Sequence, residues 1–487
     1  MPGFLARREL SNVILALVCV AQFMVVLDVS IVNVALPSMQ SDLHFTASGL
    51  QWVLNAYTLT FAGFLLLGGR MADLYGRRRL FLIGLLLFAG SSLLGGVAQS
   101  GGQLLAARAL QGIGSAMLSP ATLTILTTTF TEPSARARAL GTWSAVAGAG
   151  GAVGVVAGGV LTDLLSWRWI LFINVPIGVL TAALARVVLV ESKLEANRPT
   201  LDYAGAVTIT AGLSSLVYGI VSTDSHSWGS ARVLVPAIAG LALIGAFIAV
   251  ESRHPHPLAP LRLFRLRPLV GANLMMVGLG SIMFGLFFLL SQYVQNVLGY
   301  SPLKAGFAFA PMPLALIIGA QLSSRLVSRI GVRTLMVAGP AMSSLGFFLL
   351  GHLSVQSSYP LHLLLPCTLI TFGIGLTMVP ITLAATGGVA PQDAGLASGL
   401  INSTRQIGGS LGLAILATVA TTRYQHLLAS DGAKAAQTSG ANIAFISTAA
   451  VAAAMGLVAL FVMPRRPRRP AVATVTDDEV LTVLETA

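Results

Sequence analysis

The stretch from Val13 to Leu36 reads VILALVCVAQFMVVLDVSIVNVAL, an apolar run interrupted by one charge, Asp28. A helix rises about 1.5 Å per residue, so roughly 20 apolar residues cross the hydrocarbon core of a bilayer. Arg7 and Arg8, just before the run, give it the outline of a secretory signal. It has no small-residue cleavage site and it carries an acid, so it reads as a retained first membrane span.

The rest of the chain repeats the pattern. Of its 487 residues, 55% are hydrophobic and 9% charged, with 51 glycines. A soluble chain carries about 25% charged residues, so lipid must solvate the excess apolar surface. The net charge of +12 would suggest nucleic acid in a soluble protein. Here the basic residues sit in short segments between apolar runs, which is a topology signal. Cys19 and Cys367 lie inside apolar runs and offer neither a disulfide framework nor metal spacing.

Fourteen candidate spans are centred near Met24, Leu59, Leu87, Leu118, Ala149, Val179, Leu213, Leu243, Phe284, Leu314, Ser344, Gly373, Leu411 and Ala452. With both termini cytoplasmic, the inside segments hold most of the Lys and Arg residues, and Arg108 is the exception that falls within a span. Short cytoplasmic loops retain Lys and Arg. Dropping one span would invert every later loop, so the asymmetry supports fourteen. The second half echoes the first. Phe45-Thr46 before Gly76-Arg77-Arg78 matches Tyr300-Ser301 before Gly331-Val332-Arg333, and Gly112-Ile113-Gly114 matches Gly373-Ile374-Gly375. Such repeats are a transporter architecture with a site at the repeat interface. The expected divisions are a cytoplasmic N-terminus (1–12), a six-helix bundle (13–190), an inserted helix pair with its loops (191–268), a second six-helix bundle (269–463) and a cytoplasmic tail (464–487).

Asp28 is the one acid expected at mid-span, where a charge costs roughly 2.5–3.5 kcal/mol on insertion scales. A proton pathway accounts for its retention; a structural hydrogen bond between helices is the plainer alternative. Arg108, in the outer half of the fourth span, is its expected partner, with snorkelling to the interface as the alternative. After the second span, Gly69, Asp73, Gly76, Arg77 and Arg78 read as a conformational latch. Gly69 would permit helix contact, Gly76 a turn, and Asp73 a switchable ion pair. In the fifth span Gly150, Gly154 and Gly158 share one helix face, with Gly159 beside them, which suits close packing or a sliding surface. Met24, Asn33, Asn55, Tyr57, Gln111, Gln292 and Gln295 are candidate cavity residues.

Together these residues resemble the major facilitator superfamily, and within it the fourteen-helix drug:proton antiporters. The run from Gly69 to Arg78 is similar to that family's loop between helices two and three. Arg108 to Gly114 resembles its fourth-helix motif, whose arginine is associated with proton coupling, and Leu27 to Pro37 its first-helix motif. Gly150, Gly154, Gly158 and Gly159 resemble the antiporter motif, with Val155 in place of the usual proline. Trp167-Arg168-Trp169, Asn174-Val175-Pro176 and Leu201 to Gly205 extend the likeness. It implies an all-α polytopic fold of two six-helix bundles with two extra central helices.

The expected function is proton-coupled export of lipophilic small molecules by a monomer in the bacterial plasma membrane. Protons, substrate and lipid would be its only partners, with no cofactor, metal or nucleic acid. A lone cavity carboxylate favours monocations or neutral amphiphiles. A proton symporter or uniporter of the same fold, or a membrane sensor, is the alternative. Gly408-Gly409-Ser410-Leu411-Gly412 fits a nucleophile elbow only in a strand–turn–helix setting, and no lysine follows a glycine as a phosphate loop requires, so an enzyme is not expected. Leu258 to Leu266 suits an interfacial segment.

Overall fold

A computed structural model describes residues 2–192, 201–255, 257–387, 389 and 393–462. The expected tail, 464–487, lies outside the described residues, as do 193–200 ahead of the seventh span. Fourteen long helices follow one another: α1 Pro2–Asp42, α2 Ser48–Tyr75, α3 Arg77–Gly96, α4 Gly101–Thr129, α5 Pro133–Leu164, α6 Trp169–Val188, α7 Tyr203–Val221, α8 Ala231–Arg253, α9 Arg267–Val297, α10 Pro302–Ile330, α11 Val332–Leu350, α12 Tyr359–Thr386, α13 Ala394–Asp431 and α14 Ala433–Val462. Each expected span centre falls in its own helix. Thirteen are long and apolar enough to cross a membrane. The other, α13, is as long but carries the polar run Asn402 to Gln406. The described residues contain no strand.

Side-chain caps set several boundaries, answering N–H groups that a helix start leaves open. Ser100 accepts from Gln103 N at the start of α4, Ser301 from Lys304 N at α10, and Asp202 from Gly205 N at α7. Before α5, hydrogen bonds from the Ser134 hydroxyl and from the N–H groups of Ala135 and Ser134 hold the Glu132 carboxyl below the usual carboxylate range.

Helix pairing repeats with a shift of eight. Contacts of α1 with α5, α2 with α4, α3 with α4 and α3 with α6 recur as α9 with α13, α10 with α12, α11 with α12 and α11 with α14. The two bundles meet through α2 against α13 and, by the same symmetry, α10 against α5. The inserted pair packs on that seam. Leu213, Val217 and Val221 of α7 join Leu59 of α2 and Ala414 of α13 in one apolar cluster, while α8 leans on α7.

The arginines at 77–79 mark one end of the molecule, the basic end. Toward it, the first bundle has a core of its own, including Leu17, Phe61, Leu65, Phe81 and Ala185. Toward the opposite end, Ile31, Leu36, Val53, Leu104 and Ile170 merge with second-bundle residues such as Leu286, Tyr293 and Phe309. The apolar core is thus continuous across the bundles at one end and divided at the other. One charge departs from the expected pattern. Arg405 lies well inside α13, so Arg108 is not the sole intramembrane cation.

Candidate functional site

Asp28 on α1 and Arg108 on α4 meet in the first bundle with their side chains 0% and 1% exposed. Arg108 Nη1 donates to Asp28 Oδ2 at 2.6 Å and to Gln111 Oε1 at 2.7 Å. Arg108 and Gln111 are three residues apart, a spacing that puts both on the α4 face toward α1. Gln111 Nε2 closes the loop by donating to Asp28 Oδ1 at 2.8 Å, and Asn174 Nδ2 of α6 donates to the same oxygen at 3.1 Å. Ser92 Oγ of α3 accepts from Gln111 at 2.7 Å and from Asn174 at 3.3 Å. Four helices are therefore tied to one carboxylate.

Arg108 is held on its other side as well. Its Nε donates to the Val53 carbonyl at 3.1 Å, and its guanidinium stacks 4.4 Å from the centre of the Tyr57 ring, a cation–π contact. The Tyr57 hydroxyl shares a 2.8 Å hydrogen bond with Ser115. Nη2 of Arg108 and Oδ1 of Asn174 are buried without a partner. Two polar atoms with spare capacity beside a carboxylate suit a network whose hydrogen bonds can be redistributed when a proton arrives.

At the basic end, Gly76 adopts φ +112°, a region that side-chain-bearing residues rarely enter, and makes the turn from α2 to α3. A Cβ there would also strike the Glu191 carboxylate. Glu191, after α6, accepts the N–H groups of Arg78 and Arg79 at 3.2 Å each and so caps α3. Asp73 pairs with Arg77 at 3.3 Å. Arg78 donates to the Arg186 carbonyl at 2.6 Å. The tight helix crossing expected of Gly69 belongs to its neighbour. A Cβ on Gly69 would touch Pro120 at an ordinary 3.5 Å, whereas one on Gly68 would collide with the Ala116 carbonyl.

The α5 glycines divide between two surfaces. A Cβ on Gly154 would lie 2.7 Å from Ser30 Cβ, and one on Gly158 2.8 Å from the Ile31 carbonyl, both on α1. Gly150 faces the Phe23 carbonyl of α1 at 3.0 Å in the same sense. Gly159 instead faces α10, where a Cβ would stand 2.6 Å from the Pro302 carbonyl. Val155, in the position where a proline was expected, sends its carbonyl toward Gly306 of α10.

The candidate cavity residues do not share one cavity. Tyr57 and Gln111 belong to the Asp28 network, and Met24 is buried in the first bundle's core. Asn55 Oδ1 accepts from Ser410 Oγ of α13 at 2.7 Å, joining the bundles. Asn33 and Gln295 belong to a second join toward the opposite end. There Ser291 Oγ donates to the Asn33 carbonyl at 2.7 Å, and Gln295 Nε2 donates to the Val34 carbonyl at 2.9 Å. Gln292 lines a separate cavity of about 210 Å³ with Gln40, Tyr424 and Gln437.

Ser92, Ser115, Asn174, Glu191 and Ser410 are the polar partners that sequence reasoning did not single out as site residues. Asn174 had a signal, since it opens Asn174-Val175-Pro176. Arg405 had one too, a charge amid apolar residues, masked by the polar run around it.

The profile of the Major Facilitator Superfamily matches residues 18–413. The chain is 46% identical over 420 residues to a cephamycin export protein of Amycolatopsis lactamdurans, covering 86% of each chain. It is 42% identical over 450 residues to a puromycin resistance protein of Streptomyces alboniger, covering 92% of this chain and 89% of that one. Among solved structures, a peptide transporter complexed with sulfate superposes with a TM-score of 0.69 at 16% identity, covering 93% of this chain and 95% of that one. A bacterial Spinster homologue in an inward-facing, unoccupied conformation superposes at 0.64 and 16% identity, covering 93% and 98%. The fourteen-helix, twofold-repeated chain is a multi-pass membrane transporter, not an enzyme, and it belongs to the major facilitator superfamily.

Proposed function

We propose that this transporter exports amphiphilic, antibiotic-like small molecules in exchange for protons. It would act as a monomer in the bacterial plasma membrane with the basic end, and both termini, in the cytoplasm. The export and resistance roles named for its relatives support the direction. The observation that carries proton coupling is the sealed Asp28–Arg108 pair. A proton on Asp28 turns an acceptor into a donor and removes the charge that Arg108 answers. The four-helix tie would then have to rearrange. Charge at such depth is retained for a reason, most often an ion or proton path.

Core continuity at one end only supports an inward-facing state, with the divided end open to the cytoplasm. Alternating access then follows if protonation favours one arrangement of α1 against its neighbours and substrate favours the other. The ion pair also changes the charge argument. Asp28 is not a lone carboxylate, so it gives no preference for cations over other amphiphiles.

The test is substrate-driven proton movement in proteoliposomes carrying a pH gradient and an internal pH dye, with native protein and Asp28→Asn. Puromycin and a cephamycin are the first compounds to offer. Proton release on substrate addition, absent in the variant, supports antiport through Asp28. Equal responses from both proteins would remove Asp28 from the coupling path.

A further inference from the structure

We propose that Arg405 is an anion-recognition residue in the central cleft, and that the preferred substrates carry a carboxylate or sulfonate. This rests on the export reading and adds a charge class to it.

Arg405 lies on α13 five residues nearer the basic end than Ser410, about 7.5 Å along the axis. Ser410 is the α13 residue that bonds to Asn55 of α2, so Arg405 sits below that join, where the bundles have separate cores. It lies deep in the body of the protein, yet its side chain is only half-buried. Facing lipid at that depth would be costly for a guanidinium. Facing a water-filled cleft between bundles reconciles depth with access.

No ion pair and no hydrogen bond among the described residues engages its guanidinium. Asp28, the acid inside the first bundle, is taken by Arg108. Asp393, twelve residues toward the basic end, is taken by Arg262 at 2.9 Å. Both acids are thus spent on other arginines, and Arg405 is left as an uncompensated positive charge.

Its neighbours suit the same ligand. Asn402 and Gln406 lie three residues before and one after it on the cleft side of α13. Asn402 is exposed and donates to the Ser398 carbonyl at 3.2 Å; Gln406 is buried with no hydrogen bond to the protein among the described residues. An amide N–H beside a guanidinium fork matches the lone pairs of a carboxylate. The neighbouring strip of α13, toward α9, is used for packing, with Thr404 donating to Asn273 of α9 at 2.8 Å and Ser281 donating to the Gly408 carbonyl at 2.8 Å. The main chain of Arg405 shares in that packing, its carbonyl lying close against Gly280 of α9, so the anchoring is done by the backbone and not by the guanidinium.

The experiment is equilibrium binding of matched fluorescent pairs to the full chain in detergent. The probes are dansyl-phenylalanine, dansyl-leucine and dansyl-tryptophan, each as free acid and as methyl ester. Native protein should bind the acids about tenfold more tightly than the esters, and added salt should weaken only the acids. Arg405→Gln should bind the esters as native does and lose the acid preference. Arg405→Lys should keep part of it. Native protein that shows no acid preference in any pair, or Arg405→Gln that retains it, would overturn the proposal. Binding needs no gradient, so this result stands apart from the Asp28 flux test. Failure of coupling there leaves the acid preference to be read here, and the converse holds.

Discussion

Arg108 Nη1 stands 2.6 Å from Asp28 Oδ2 with both side chains sealed from solvent, while the other terminal nitrogen of the same guanidinium has no partner. The pair is therefore matched in charge but not saturated in hydrogen bonds. Removing one member of a buried pair strands the other and costs about 3–5 kcal/mol, whereas removing both can be nearly neutral. Arg108→Gln should lower the thermal unfolding midpoint in detergent sharply. Asp28→Asn combined with Arg108→Gln should recover much of that loss. If the double variant is no more stable than Arg108→Gln, stranded charge is not what the single variant suffers from.

Gly76 and Glu191 make a second pair whose effects can be separated. Gly76→Ala meets a backbone penalty of about 1–3 kcal/mol for its positive φ and a clash with the Glu191 carboxylate. Glu191→Ala removes the cap of α3, worth about 0.5–2 kcal/mol, together with the clash. Amide exchange at residues 78–80 should quicken in each single variant. In the double variant the φ penalty alone should remain beyond the loss of the cap. Full additivity would show that the carboxylate yields to a methyl group without resistance.

These pairs also show how far the sequence could be read. Asp28 and Arg108 were visible because a charge inside an apolar run has few benign explanations. Ser92 was not, because a serine hardly changes hydropathy and reveals itself only when other helices are brought alongside. Asn174 stood out in Asn174-Val175-Pro176, but nothing in the sequence tied it to Asp28 on a distant helix. The helix count survived the polar run in α13, since apolar residues flank it on both sides. That same run hid the depth of Arg405. The crossing assigned to Gly69 moved to Gly68 because a one-residue shift turns a helix face by about 100°, and spacing alone does not say which of two adjacent glycines faces the neighbour.

Gly154 and Gly159 lie in one glycine run but serve different contacts. Gly154 faces α1 within its own bundle, and Gly159 faces α10 across the bundles. Gly154→Ala should lower the unfolding midpoint with little change in conformational state. Gly159→Ala should weaken closure at the end away from the arginines. Spin labels at His44→Cys and Asn296→Cys, both exposed at that end, should report longer distances in Gly159→Ala and native distances in Gly154→Ala. The same lengthening in both variants would mean that the run acts as one surface.

Ser410 supplies the last test, because its hydroxyl joins the bundles at a buried point. It donates to Asn55 Oδ1 at 2.7 Å and accepts from Thr58 Oγ1 at 3.3 Å, and Asn55 Nδ2 already lacks a partner. Ser410→Ala would leave a second buried polar atom of Asn55 unsatisfied, at about 1–3 kcal/mol. Opening of the seam hydrates that amide, so the loss falls on the closed arrangement. Every 1.4 kcal/mol is tenfold in population, so the label distances at the same two positions should broaden toward longer values. Asn55→Leu combined with Ser410→Ala removes the stranded amide and should restore the short distance. If Ser410→Ala and the double variant broaden alike, the hydroxyl acts by holding the bundles together and not by satisfying Asn55. If neither broadens, closure at that end rests on the α5–α10 contact and the apolar core, and Gly159 becomes the residue that sets it.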